Sequence, residues 1–121
     1  MDLSVLVCDD SNLARKQVLR SLPEQLSAKT QIATNGEEAL VILKSQKIDL
    51  LFLDLTMPIL DGVGVLQGIK DENIDVAVFV ISADIQPEMQ SKVLALGAKA
   101  FLRKPVKTEI LNESLTKHGF L

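Results

Sequence analysis

This sequence predicts one domain, residues 1–121, built as a three-layer α/β/α sandwich around a five-stranded parallel sheet; three observations carry that prediction. Four apolar runs, Leu3 to Cys8, Leu50 to Leu53, Val76 to Ile81 and Ala100 to Leu102, are rich in Val, Ile, Leu or Phe and mostly lack polar alternation. Strands buried on both faces read this way. Helical stretches with recognisable starts and stops fill the gaps between the runs. The 121 residues, 47% of them hydrophobic, are enough for one domain with a hydrophobic core and too few for two domains.

Taken in order, the first strand ends at Cys8, and Ser11 or Asn12 can cap a helix that buries Ala14, Val18 and Leu22 before Pro23 closes it. A strand over Lys29 to Ala33 alternates more than the others, as an edge strand does. Asn35-Gly36 turns into Glu37-Glu38, acids suited to the positive end of a helix that buries Ala39, Leu40 and Leu43. After Leu53, the stretch from Val63 to Lys70 is a weaker helix, because Gly64 and Gly68 each cost about 1 kcal/mol relative to Ala. Pro87 suits a helix start, Met89, Val93 and Leu96 follow it, and Gly97 is the stop. Thr108 is expected to cap a last helix carrying Ile110, Leu111 and Leu115. The pattern is β-α repeated five times, and right-handed crossovers between parallel strands give the layered sandwich.

Composition excludes several functions. With four Phe and neither Trp nor Tyr, the chain offers little for base stacking or for a flavin held between rings. A net charge of −3 and a pI near 5.1 provide no basic face for nucleic acid. Cys8 is alone among apolar neighbours and reads as a packing residue in a reducing compartment. No apolar run approaches the roughly 18 to 20 residues of a membrane span. Met1-Asp2-Leu3-Ser4 has no basic region before an apolar stretch, so a cytoplasmic, membrane-free protein is expected.

The chemistry collects at one place. Ligands of open α/β sheets bind outside the carboxyl ends of the strands. There the first strand ends in Asp9-Asp10, the third in Asp54 and the fourth in Ser82, while Lys104-Pro105 follows the fifth. Three carboxylates together repel, at roughly 4 kcal/mol for two charges about 4 Å apart in an effective dielectric near 20. Either one is protonated or a cation joins them, and Lys104 supplies a single charge. An all-oxygen set is hard and suits Mg²⁺ rather than zinc. A carboxylate beside such an ion can act as nucleophile toward a phosphoryl group, forming an acyl phosphate. Lys104, the Ser82 hydroxyl and backbone N–H groups after the third and fourth strands would cradle that group.

These residues resemble a known family. Asp54-Leu55-Thr56-Met57-Pro58-Ile59-Leu60-Asp61-Gly62 is similar to the D-x-x-M-P-x-x-D-G signature of response-regulator receiver domains, the CheY-like switches of two-component systems. With Asp9-Asp10, Ser82-Ala83 and Lys104-Pro105 in order, the resemblance covers essentially the whole chain. It implies the flavodoxin-like strand order 2-1-3-4-5. It also implies that Asp54 accepts a phosphoryl group from a sensor histidine kinase or phosphotransfer protein. Mg²⁺ would be held by Asp10 directly, Asp9 through water, Asp54, and the Thr56 backbone carbonyl. Thr56, Ala83 and Lys104 would bind the phosphoryl group, and Lys104 would also link it to Asp54. Ser82 and Phe101 would be the switch residues, and a cis bond would precede Pro105. The output partner would dock on the face made by the helix from Pro87, the fifth strand and the last helix; the kinase would dock near Asn12, Arg15 and Lys16. Thr56 and Asp84 would set the lifetime of the phosphoryl group. Val106 stands where the family often has Phe, and the last helix lacks the charge pattern of receivers that dimerise on DNA, so a monomer is expected.

Taken singly, each feature has a plain structural explanation. Asp9-Asp10 can be a solvated turn, Asp54 a strand stop, Ser82 a helix cap and Lys104 a surface residue; the combination argues for a site. Asp61-Gly62 reads as a turn in which Gly supplies an unusual backbone angle, Met57-Pro58 as shaping the loop, Phe101 as core or switch, and His118 as surface. Three other readings compete with the switch. A phosphohydrolase using an aspartyl phosphate would need an acid two residues after Asp54, where Thr56 stands, and a cap domain. A phosphorylation-independent docking scaffold would be expected to lack one of the acids or the lysine. The chain could also be the receiver part of a longer regulator. A nucleotide binder is disfavoured by the absence of a G-x-x-x-x-G-K-[ST] loop.

Overall fold

In the computed structural model, which describes residues 3–121, the five parallel strands are β1 (Val5–Cys8), β2 (Thr30–Ala33), β3 (Leu50–Leu53), β4 (Ala77–Ser82) and β5 (Ala100–Arg103). They form one sheet of order β2-β1-β3-β4-β5. The helices are α1 (Asn12–Ser21), α2 (Glu24–Ser27), α3 (Gly36–Ser45), α4 (Gly62–Asp71), α5 (Pro87–Ala95) and α6 (Thr108–Lys117). Met1 and Asp2, part of the start read above for a leader sequence, lie outside the described residues.

Alternate side chains of the strands serve two cores. Leu6, Cys8, Leu51, Leu53, Val78 and Val80 face Ala39 and Leu43 of α3, Val65 and Leu66 of α4, and Val93 of α5. Val5, Val7, Leu50, Phe52, Phe79 and Ile81 face Val18 and Leu22 at α1, together with Leu111 and Leu115 of α6. Burial on both sides is why the central strands show no alternation, whereas β2 at the edge leaves Gln31 and Ile32 exposed.

Local chemistry sets most boundaries. Ser11 caps α1, its hydroxyl accepting from Ala14 N at 3.2 Å, and Asn35 caps α3 by accepting from Glu38 N at 2.9 Å. Gly97 ends α5 at a φ of +111°, with no neighbour near an added Cβ, so conformation alone calls for glycine there. Helix α4 forms over ten residues despite its glycines, because Val65 and Leu66 bury completely and Gly68 seats Leu40 of α3.

The structure corrects several sequence expectations. Among the described residues there are six helices rather than five: Pro23 closes α1 and also opens the single turn α2, which buries Leu26. Leu3 and Ser4 precede β1. Thr108 is the first residue of α6 and not its cap, which is Lys107, without a side-chain cap bond. Ile110 is half exposed, since it lies one residue off the stripe of Leu111 and Leu115. His118 packs edge-on against Phe79 at 5.4 Å and is half-buried rather than surface. The unusual backbone angle belongs to Ile59, at a φ of +70°, and not to Gly62. Gly62 is required for another reason: a Cβ there would collide with the Asp54 carbonyl oxygen and Leu55 Cα.

Candidate functional site

The sheet ladder carries the polar residues past the strand ends in register. Cys8 pairs with Ala33 on one side and Leu53 on the other, and Asp9 N and Asp54 N extend the ladder to Ala33 O (3.1 Å) and Cys8 O (3.0 Å). Lys104 N donates to Ser82 O at 2.9 Å, tying the end of β5 to that of β4. The Lys104–Pro105 peptide is cis.

Asp9, Asp10 and Asp54 each place a carboxylate oxygen within 4.8 Å of the others. Asp9 and Asp54 are buried and Asp10 is exposed. Lys104 Nζ bridges the two buried acids, 2.7 Å from Asp9 Oδ2 and 3.1 Å from Asp54 Oδ1. Asp9 Oδ1 accepts from Ser11 N at 2.9 Å, and the Asp9 carbonyl accepts from Arg15 Nη1 at 2.7 Å. Both oxygens of Asp9 are therefore engaged, while Asp10 has no hydrogen-bond partner among the described residues.

Electrostatics follow from this crowding. Burial, then the charge of Asp9, hold the Asp54 carboxyl above the ordinary carboxylate range, against Lys104 and the Thr56 N–H, which favour the ionised form. Burial works against the Lys104 ammonium, but its bonds to Asp9 and Asp54 outweigh that and hold it above the usual lysine value. The set fits a hard divalent cation: three carboxylates converge, and one of them, Asp10, is free to turn to a ligand. The nearest softer donor, Cys8, does not compete. Its thiol is pushed up to about 12, first by burial and then by Asp9, Asp54 and Glu38, and it points at Met57 Sδ (3.4 Å) and the Asn35 carbonyl.

The other expected site residues lie around this group without joining it. Ser82 is buried at the end of β4, and its hydroxyl accepts from Asp84 N at 3.0 Å, within its own loop. Thr56 and Ala83 are exposed on the loops after β3 and β4. Phe101 is half-buried and lines a groove with Arg103, Lys104, Lys107 and Ile110. Sequence reasoning missed the grip of Arg15 on the Asp9 carbonyl. The available sign was a long cation six residues after a strand-ending acid, on the first turns of the following helix.

The comparisons agree with this geometry. A family model described as the response regulator receiver domain matches residues 5–116. The chain is 38% identical over 86 residues to a probable C4-dicarboxylate response regulator DctR of Bacillus subtilis, covering 71% of this chain and 38% of that protein. It is 34% identical over 104 residues to the chemotaxis protein CheY of Treponema pallidum, covering 84% of this chain and 72% of that one. Among solved structures, a CheX-CheY-BeF3-Mg complex from Borrelia burgdorferi superposes with a TM-score of 0.86 at 29% identity, covering 96% of this chain and 88% of that chain. The chain spans less than half the length of several curated regulators it matches: 38%, 46% and 40% in three cases. No helix among the described residues is long and apolar enough to cross a membrane. In fold, strand-end chemistry and sequence, the chain belongs to the response-regulator receiver-domain family of two-component signalling.

Proposed function

We propose that the chain is a cytoplasmic, Mg²⁺-dependent phosphoacceptor switch with Asp54 as the acceptor. The observation that carries this reading is the convergence of Asp9, Asp10 and Asp54 at the carboxyl ends of the strands, with Lys104 bridging Asp9 and Asp54. In the transfer, an Asp54 carboxylate oxygen forms a bond to phosphorus while the bond from phosphorus to the donor's imidazole nitrogen breaks, and that nitrogen leaves with the electron pair. Lys104, already bonded to Asp54, would follow the new phosphoryl oxygens and offset their charge. Asp10, with its free carboxylate, would be the direct metal ligand, joined by Asp54 and the Thr56 carbonyl, and Asp9 would act through water because its own oxygens are engaged. Bound Mg²⁺ would neutralise the carboxylates and polarise the transferring group.

The switch would run through Ser82. Its hydroxyl, which accepts from Asp84 N, would swing toward the phosphoryl group to donate its proton and draw in the loop after β4. Phe101 would follow, remodelling the groove it shares with Arg103, Lys107 and Ile110 on the α5, β5 and α6 face, where an output protein would dock. Ala83 N–H and Thr56 would complete the cradle, and Thr56 and Asp84 would govern access of water. A sensor histidine kinase or phosphotransfer protein is the donor in this reading. The chain would catalyse only its own phosphorylation and dephosphorylation, and the 1–121 unit would act as one receiver domain, whether alone or within a longer regulator.

Intact mass after incubation with acetyl phosphate and Mg²⁺ tests it. One phosphoryl group should add, and should be absent with EDTA or in Asp54→Asn. Failure to add, together with failure to bind beryllofluoride, would favour the phosphorylation-independent scaffold.

A further inference from the structure

Arg15 belongs to the same region as the acidic cluster but touches none of its carboxylates. Its Nη1 donates to the Asp9 main-chain carbonyl at 2.7 Å, and Nη2 reaches Asn12 Oδ1 at 3.3 Å. The Asp9 carbonyl lies just past the end of β1, beyond the paired residues of the sheet. Lys104 offers a contrast: it meets Asp9 and Asp54 through their carboxylate oxygens. We propose that Arg15 is a positioning residue for the metal: its grip on the Asp9 carbonyl fixes the Asp9-Asp10 turn, so that the Asp10 carboxylate is held toward Asp54 with its oxygens unused. This rests on the reading of the cluster as a Mg²⁺ site and extends it to the group that shapes the site from behind.

Arg15 is half-buried in α1, and the helix cap at Ser11 anchors the same turn from its other end, since Ser11 N donates to Asp9 Oδ1. The two contacts hold Asp9 by main chain and side chain and so fix the point from which Asp10 projects toward Asp54. Removing outer-shell groups that orient metal ligands typically costs about 10- to 100-fold in metal affinity.

Two physical effects of removing Arg15 have opposite signs, which makes the test decisive. If the guanidinium only adds positive charge, its loss lessens repulsion of a dication and tightens binding. If it positions the turn, its loss weakens binding. The experiment is a calorimetric Mg²⁺ titration of the wild type, Arg15→Met, Arg15→Lys and Asn12→Ala, with thermal melts of each in EDTA. The expected result is about tenfold weaker Mg²⁺ binding in Arg15→Met. Arg15→Lys should recover part of that loss, because it keeps a cationic donor, and Asn12→Ala should show a smaller loss in the same direction. The Asn12→Ala variant carries the test if Arg15→Met melts too low to titrate. Binding in Arg15→Met or Asn12→Ala as tight as in the wild type, or tighter, overturns the positioning role alone. Absence of Mg²⁺ binding in the wild type overturns the metal-site reading and this inference with it.

Discussion

Lys104 Nζ lies 2.7 Å from Asp9 Oδ2, so the lysine's shorter ion pair is with the acid that ends β1 and not with Asp54, at 3.1 Å. Both acids are buried, and Lys104 is the side chain that neutralises them together.

Replacing it with Met should therefore expose the repulsion between the acids. Breaking a buried charge pair by removing one partner costs about 3 kcal/mol. Urea melts of Lys104→Met without metal should show a loss of that order, and added Mg²⁺ should restore more stability than it adds to the wild type. Equal metal-dependent gains in the two proteins would contradict this.

Asp54 carries the opposite sign. Its folded-state pKa is raised, chiefly by burial and then by Asp9, so the folded protein takes up this proton more readily than the unfolded chain. That contribution is full below the ordinary carboxylate pKa and is lost as pH rises through the folded value. Asp54→Asn should accordingly have a higher urea midpoint than the wild type at neutral pH. The gap should close as the pH falls and Asp54 becomes neutral; a gap independent of pH would show that charge is not its cause.

Cys8 provides a second pH window. Its thiol, ordinarily ionising near 9.0, is pushed up to about 12, so its contribution is present below 9.0 and lost progressively above it. Lys104, also raised, loses its contribution only above the ordinary lysine value of 10.5. Stability against pH should start to fall near 9.0 in the wild type and later in Cys8→Ala. The native thiol should resist iodoacetamide until denaturant is added; rapid alkylation of the folded protein would count against the buried, neutral thiol.

Ile59 sits at a φ of +70°, 75% exposed, at the centre of a γ-turn closed by Leu60 N to Pro58 O at 2.8 Å. A β-branched residue is strained there and little burial offsets the strain. Ile59→Gly, which has no Cβ to clash at positive φ, should gain about 1 kcal/mol and raise Tm by a few degrees. A lower Tm would mean that the side chain makes contacts worth more than the strain.

Much of this was legible in the sequence, for identifiable reasons. The grouping of Asp9, Asp10, Asp54 and Lys104 was legible because each lies at or just past the end of an apolar run, and strand ends of a parallel sheet share one edge. The sheet itself was legible because burial on both faces erases polar alternation from its central strands. What stayed hidden depends on contacts rather than pattern. Only Leu26 marks the turn of α2, which is too short to show a period. The preference of Lys104 for Asp9, the hold of Arg15 on a main-chain carbonyl and the packing of His118 on Phe79 arise between distant segments. Gly62 was noticed for the wrong reason, since a close backbone approach and a positive φ look alike when only the residue type is known.

The most direct test of the account is chemical capture of the acyl phosphate. The protein is incubated with acetyl phosphate and Mg²⁺, treated with borohydride and mapped by peptide mass spectrometry. Borohydride reduces an aspartyl phosphate to homoserine, so homoserine is expected at position 54, dependent on Mg²⁺ and on the phosphodonor. Homoserine at position 9 or 10 with Asp54 intact would contradict it.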